Sequence, residues 1–440
     1  MAAGAIVASV AGLRPSAAEP VEQLAANLPA PYATPSAMKF PEVIGWPEGK
    51  TPQAPEGLKV TALVRGLENP RWLYVLPNGD VLVAQSRTLP KPPKPEEEAA
   101  KPRQKKAEDK VKDDGMKKSK TVTGDSPNRI TLLRDADGDR QPEVQETFLE
   151  GLNQPFGMVL VGDTLFVANT DAVTAFPYRN GDTKIANPGM KILDLPVGGY
   201  NNHWTRNIIA NKDGTKLYIS VGSASNNAEH GTAEEMLRAS ILECNPDGTS
   251  LRVFASGLRN PVGMAWNPAN GELWTAVNER DELGDELVPD YATSVEDGGF
   301  YGWPYAYFGQ HEDPRMKGQR PDLVKKTLVP DVPLGSHTAS LGLAFYEAGD
   351  NEHALPEKYR GGAFVGQRGS WNRSELVGYR VAFVPFKDGK PAGPPEDFLT
   401  GFIANENEVH GRPVGVAVAA DGSLLVADEP ANIVWRVSAE

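Results

Sequence analysis

The sequence predicts an all-β protein, a six-bladed β-propeller, and three observations carry that expectation. One phrase recurs six times: a polar residue, often a Pro, a small residue, an apolar run, a Gly-bearing turn and a second apolar run. The turns are Asn-Gly or Asp-Gly at Asn78-Gly79, Asp213-Gly214, Asn270-Gly271 and Asp421-Gly422. Such pairs reach the positive φ angles that tight hairpins need. Finally, 44 Gly and 38 Pro make the chain turn-rich, and no long stretch keeps a helical period. Repeats of strands and turns at this spacing mark a radial β architecture.

The copies open at Asn69-Pro70-Arg71-Trp72, Gln154-Pro155-Phe156-Gly157-Met158, His203-Trp204-Thr205-Arg206, Asn260-Pro261-Val262-Gly263-Met264, Ser340-Leu341-Gly342-Leu343 and Arg412-Pro413-Val414-Gly415-Val416. The fifth is stretched by an insertion before Gly361-Gly362. Residues 1–55 read as an Ala- and Pro-rich extension, and residues 56–440 as the propeller. Strands from both ends, Leu58-Lys59-Val60-Thr61-Ala62-Leu63 and Ile433-Val434-Trp435-Arg436-Val437, suit one shared blade that closes the ring. Residues 91–120 alternate charges with almost no apolar content, so a disordered insertion is expected at about residues 88–125.

A net charge of −13 argues against nucleic acid or an anionic membrane as partner. The single cysteine, Cys244, rules out an intramolecular disulfide. Small apolar residues from Ala2 to Leu13, followed by Pro15-Ser16-Ala17-Ala18-Glu19, look like a signal peptide without its basic start. The expectation is a periplasmic or secreted protein. No run is long enough to span a bilayer.

In a propeller the residues opening each innermost strand converge on the central channel. His203 is the candidate general base, because a neutral imidazole can take a proton near neutrality. Asn202, Trp204 and Arg206 flank it; a hydrogen-bonded rim residue is the alternative reading of His203. Arg259 can bind a carboxylate or stabilise an oxyanion, or else pair with a neighbouring blade. With Arg206, Arg368 and Arg412 it gathers four cations on one face of an acidic chain, which calls for an anion of several charges. The acidic loop Asn278-Glu279-Arg280-Asp281-Glu282-Leu283-Gly284-Asp285-Glu286 offers oxygen ligands for Ca²⁺, or is a solvated turn. Asp135-Ala136-Asp137-Gly138-Asp139 starts like an EF-hand loop, but Arg140 stands where Gly is needed, so a hairpin tip is the expectation.

Five phrases carry a family likeness, in order: Gly151-Leu152-Asn153-Gln154-Pro155-Phe156-Gly157-Met158, Asn202-His203-Trp204-Thr205-Arg206-Asn207, Gly257-Leu258-Arg259-Asn260-Pro261-Val262-Gly263-Met264, Glu296-Asp297-Gly298-Gly299-Phe300-Tyr301-Gly302-Trp303-Pro304 and Gly411-Arg412-Pro413-Val414-Gly415-Val416. From about Leu58 onward the chain resembles the glucose/sorbosone dehydrogenase family, soluble six-bladed propellers that use pyrroloquinoline quinone (PQQ) and Ca²⁺. It looks closest to the L-sorbosone dehydrogenase branch. The resemblance implies a quinoprotein oxidoreductase that oxidises an aldose or sugar aldehyde.

It further implies His203 as general base, and Asn202 where the glucose enzymes carry Asp. Arg259 and Asn260 would flank the quinone, with Arg259 stabilising the reduced C5 oxygen. Arg368 falls where the glucose branch has a quinone-binding Lys. Arg412 matches the first of two arginines, but Val414 occupies the second position. The backbone carbonyls of Glu279 and Arg280 align with the Ca²⁺ ligands. A Ca²⁺-dependent lactonase propeller, which would not need four arginines, and a non-catalytic binding propeller, in which His203 is incidental, are the competing readings. No Cys-x-x-Cys-His occurs, so electrons must pass to an external acceptor such as a cytochrome or quinone.

Overall fold

The computed structural model describes residues 27–90, 107–121, 124–349 and 351–440. The signal-like segment, and residues 91–106, 122 and 123 of the charged stretch, lie outside the described residues.

The chain is nearly all β. Its described residues include six four-stranded sheets, each antiparallel throughout. Their first strands are Pro70–Val75, Met158–Val161, Arg206–Ala210, Pro261–Trp266, Ser340–Phe345 and Pro413–Val418. In the sixth sheet the outermost strand is Leu58–Arg65, paired with Ile433–Ala439 from Leu58↔Ala439 to Arg65↔Ile433. The strand that follows the extension and the C-terminal strand therefore build one sheet, with Leu58–Arg65 on its outer edge and Ile433–Ala439 inside it.

The repeated small residue explains how consecutive sheets meet. A Cβ at Gly157 would lie 2.4 Å from the Ile208 nitrogen of the next sheet, and one at Gly415 would lie 2.7 Å from the Arg71 carbonyl. Gly263 abuts Leu343, and Gly342 abuts the Val414 carbonyl, in the same way. Only glycine lets the first strands approach this closely. Between the first and second sheets the Trp72 and Phe156 rings lie 4.7 Å apart. Asn207 Nδ2 donates to the Val262 carbonyl at 2.9 Å between the third and fourth.

Proline sets the strand openings. Pro70, Pro261 and Pro413 begin their strands, and the register with the second strand shifts immediately behind each. A missing N–H is tolerated at a strand's first residue, and the bulge behind it re-aims the neighbouring side chains.

The insertion departs from the sequence expectation. Residues Ala107–Lys118 form a helix, here α1, rather than disorder. Its packing supplies the reason: mid-helix Gly115 sits against the Phe40 ring, where an added Cβ would be 2.2 Å from Cδ2. Described residues of the N-terminal extension do lie against the body. Tyr32 N donates to the Leu283 carbonyl at 2.8 Å, Lys39 N to the Trp371 carbonyl at 2.7 Å, and Glu42–Val43 pairs in parallel with Glu408–Val409. No described helix is long and apolar enough to cross a membrane.

Candidate functional site

Antiparallel pairing places the start of each first strand beside the end of the second: Arg206↔Val221, Pro261↔Val277, Ser340↔Gln367 and Pro413↔Asp428. Loops entering the first strands thus face loops leaving the second strands. The site is built from both sets.

His203 enters the third sheet and meets Ser223, just past the end of that sheet's second strand. Its Nδ1 lies 2.9 Å from both the Ser223 carbonyl and the Ser223 hydroxyl. The hydroxyl donates its own hydrogen to the Ser225 carbonyl at 2.6 Å, so both partners can only accept from the ring. That assigns the proton to Nδ1 and leaves the Nε2 lone pair as acceptor. Burial, and next the Arg259 charge, hold the imidazole well below its usual pKa, so it is neutral at pH 7. Gly222 keeps this corner tight: a Cβ there would lie 2.3 Å from Asn260 Oδ1 and 2.5 Å from His203 Cβ.

Arg259 is buried and fully engaged. Nε donates to the Asn226 carbonyl at 2.9 Å, Nη2 to Asn226 Oδ1 at 2.8 Å, and Nη1 to the Asn278 and Glu279 carbonyls at 3.1 and 2.6 Å. Nη2 also lies 3.6 Å from Asp281. Asn226 was not singled out from sequence, yet it organises this corner and also accepts from Asp281 N at 2.9 Å and Trp303 Nε1 at 3.1 Å. Asp281 in turn accepts from Asn372 and faces His337 Nδ1 at 3.8 Å. Burial opposes that carboxylate's charge, but His337 and Arg259 prevail and bring its pKa to about 2.

The other arginines divide. Arg206 does not point its guanidinium at a ligand: it donates to the His203, Thr205 and Pro196 carbonyls and to Asn201 Oδ1, at 2.6, 3.0, 2.9 and 2.9 Å. The sequence expectation of a cofactor contact is corrected here, because this cation staples the His203 loop. Asn201 receives Arg206 and Arg238, whereas Asn202 anchors by its backbone to the Ala224 carbonyl at 3.0 Å.

Arg368 and Arg412 do converge. Arg368 Nε donates to Glu429 Oε2 at 2.5 Å, and Arg71 Nη1 lies 2.8 Å from Glu429 Oε1. Burial works against the Glu429 charge, but Arg368 and Arg71 hold its pKa far below the carboxylate range. Arg412 lies beside this group, with Nη2 3.4 Å from the Tyr379 hydroxyl. Its Nε and Nη1 are buried and without a hydrogen-bond partner, as is Asn260 Oδ1. Buried donors and acceptors left open in this way fit an anionic, hydrogen-bonding ligand.

The two halves are linked. Trp204, next to His203, stacks under the Arg71 guanidinium at 5.3 Å; Asn372, in the Arg368 loop, reaches Asp281 beside Arg259. Helix α1 covers the same end: Lys112 Nζ lies 4.7 Å from the Trp371 ring, and Thr121 accepts from Arg368 Nη2 at 3.3 Å.

The expected calcium pair fits less well. The Glu279 carbonyl is claimed by Arg259, and its buried side chain, with a pKa pushed up to about 7 by burial, accepts from Arg280 N at 3.0 Å. The Arg280 side chain pairs with Asp313 at 2.6 Å. A divalent cation on the Glu279 carbonyl would face the Arg259 guanidinium. At the hairpin tip, Asp135, Asp137, Asp139 and Glu143 cluster at the surface. The Asp135, Asp137 and Asp139 carboxylates accept backbone N–H groups of their own loop, as a turn requires.

The sheets are joined by close glycine contacts, and their openings carry a neutral histidine and buried arginines with open donors. The model of the TrAA12-like family matches residues 129–295 and 317–439, and the chain belongs to that family. It is 28% identical over 304 residues to an uncharacterized protein of Borreliella burgdorferi, covering 66% of this chain and 77% of that protein. It is also 24% identical over 181 residues to the pyrroloquinoline quinone-dependent sugar dehydrogenase of Hypocrea jecorina, covering 36% and 42%. Its fold matches the holo PQQ domain of Coprinopsis cinerea pyranose dehydrogenase with a TM-score of 0.67 at 20% identity, covering 91% of this chain and all of that one.

Proposed function

We propose that this protein is a PQQ- and Ca²⁺-dependent dehydrogenase of aldoses or sugar aldehydes, sorbosone among them, on a six-bladed propeller closed between the sixth and first sheets. The observation that carries the reading is the open Nε and Nη1 of buried Arg412 within an arginine group whose Arg71 lies over Trp204, the residue after His203. A planar polycarboxylate answers that group, since guanidinium forks match carboxylates bidentately. Bound, PQQ supplies the hydride acceptor. Arg368, Arg412 and Asn260 would hold it, while Arg259, whose donors are already engaged, would contribute its positive charge to the site.

His203 does the proton chemistry. With Nδ1–H fixed by Ser223, the Nε2 lone pair takes the proton of a lactol or aldehyde-hydrate hydroxyl as the C–H hydride leaves. Arg206 fixes the backbone on which the ring stands. Electrons then leave to an external acceptor, a cytochrome or quinone. The reading includes export to the periplasm or medium.

Reconstitution of the apoprotein with PQQ and Ca²⁺, followed by dye reduction across a panel of aldoses and aldehydes, tests the proposal. Turnover that requires PQQ and is abolished in His203→Ala supports it. Tight PQQ binding without turnover of any sugar or aldehyde would leave only a binding propeller, and lactone hydrolysis without PQQ would favour the lactonase reading.

A further inference from the structure

Val414 stands, fully buried, where the resemblance has a second arginine, so the channel lacks a cation at that place. Another arginine reaches the cluster from the first sheet. Arg71 is 5% exposed and opens the strand Pro70–Val75 directly after the bulge-forming Pro70. Its guanidinium lies over Trp204 at 5.3 Å and Phe156 at 5.8 Å, which fixes its plane. One nitrogen pairs with Glu429, and its Nε is buried with no partner.

Three guanidiniums, of Arg71, Arg368 and Arg412, therefore gather around one buried carboxylate, Glu429; Arg71 and Arg412 are buried too, and the Arg368 side chain keeps 11% exposure. Two positive charges are left without a counter-charge within the group. Burying unpaired cations is costly, and open donors on two of the three add to that cost. A purely structural ion-pair cluster would balance its charge.

We propose that Arg71 is a carboxylate-binding residue of the cofactor site, completing from the first sheet the cradle that Val414 leaves open, and that Glu429 is the positioning residue that aims Arg71 and Arg368. The inference rests on the PQQ reading for the identity of its ligand, but the cradle itself requires only a planar polycarboxylate. Arg368 grips both oxygens of the glutamate and Arg71 one of them, which leaves Arg71 Nε open for the incoming anion.

The test titrates the apoprotein with two probes, PQQ with Ca²⁺ and redox-inert benzene-1,2,4-tricarboxylate, following tryptophan quenching and calorimetric heat. Loss of one charge-assisted contact in Arg71→Met should weaken both probes roughly ten- to a hundredfold. Arg71→Lys, which keeps the charge, should recover part of the loss and guards against a folding defect in the first variant, as does the circular dichroism of both. Glu429→Gln should weaken both probes through misaimed arginines. Wild-type binding of the tricarboxylate alone, weakened in Arg71→Met, would keep the cradle and discard the quinone reading. Undiminished PQQ binding by Arg71→Met, or no binding of either probe by the wild type, would overturn the proposal.

Discussion

Substituting Gly222 by Ala puts the proposed catalytic geometry under direct strain. The new methyl would sit 2.3 Å from Asn260 Oδ1 and 2.5 Å from His203 Cβ, whereas carbon atoms rest at about 3.5–4.0 Å. Relieving the second contact alone requires a displacement of roughly 1 Å. Gly222 lacks a positive φ, so the backbone accepts Ala and the whole effect comes from the two neighbours. Overpacking of this kind costs about 1–3 kcal/mol of stability. A shift of about 1 Å between base and bound substrate lowers turnover on the order of a hundredfold. The assay is steady-state dye reduction by PQQ-loaded protein at saturating sugar, with thermal unfolding alongside. A large fall in kcat with a modest fall in Tm is expected. Wild-type kcat in Gly222→Ala would show that the close seating of His203 against Asn260 is irrelevant to catalysis.

The remaining expectations concern charge and cover. His203 has a pKa below its usual 6.5, so it stays unprotonated as pH falls through that value; the acid limb of kcat/KM should lie clearly below pH 6.5, and a limb at or above it would contradict the assignment. Glu429 has linkage of the same sign, a depressed carboxylate whose stabilisation is complete above about pH 4.3 and is lost as pH falls towards its folded pKa. Glu429→Gln, by stranding two buried arginines, should cost about 3–5 kcal/mol in denaturant melts of the apoprotein. Gly115→Val should lift α1 from Phe40, and trypsin should then cut after Lys110 or Lys112 faster than in the wild type. Equal cleavage rates would mean that the helix does not hold to the body through that contact.

The architecture was legible because its physical demands repeat. Every copy needs a turn that reaches positive φ, and most need a small residue where the neighbouring backbone arrives, so Gly79, Gly157, Gly263, Gly342 and Gly415 are visible in the text of the chain. The site was legible by halves. Residues that open first strands, His203, Arg259, Asn260 and Arg412, sit at fixed offsets within the repeated phrase. Their partners leave second strands, at Ser223, Asn226, Asp281 and Glu429, where the phrase has already ended and no fixed spacing marks them. One signal could have found them: antiparallel pairing obliges the residues after each second apolar run to stand beside the opening of the same sheet.

Arg206 and α1 show why the rest was hidden. Nothing in Asn202-His203-Trp204-Thr205-Arg206 says which way a guanidinium turns, and four nearby acceptors decide it only once the loop is folded. The insertion is polar enough to read as disorder, because its helix buries little of its own surface. What orders it lies elsewhere in the chain: Phe40 from the extension meets Gly115, and Trp371 from the fifth sheet meets Lys112. Local composition measures whether a segment can fold alone. It does not measure whether two distant segments have left a bare aromatic surface for it to cover.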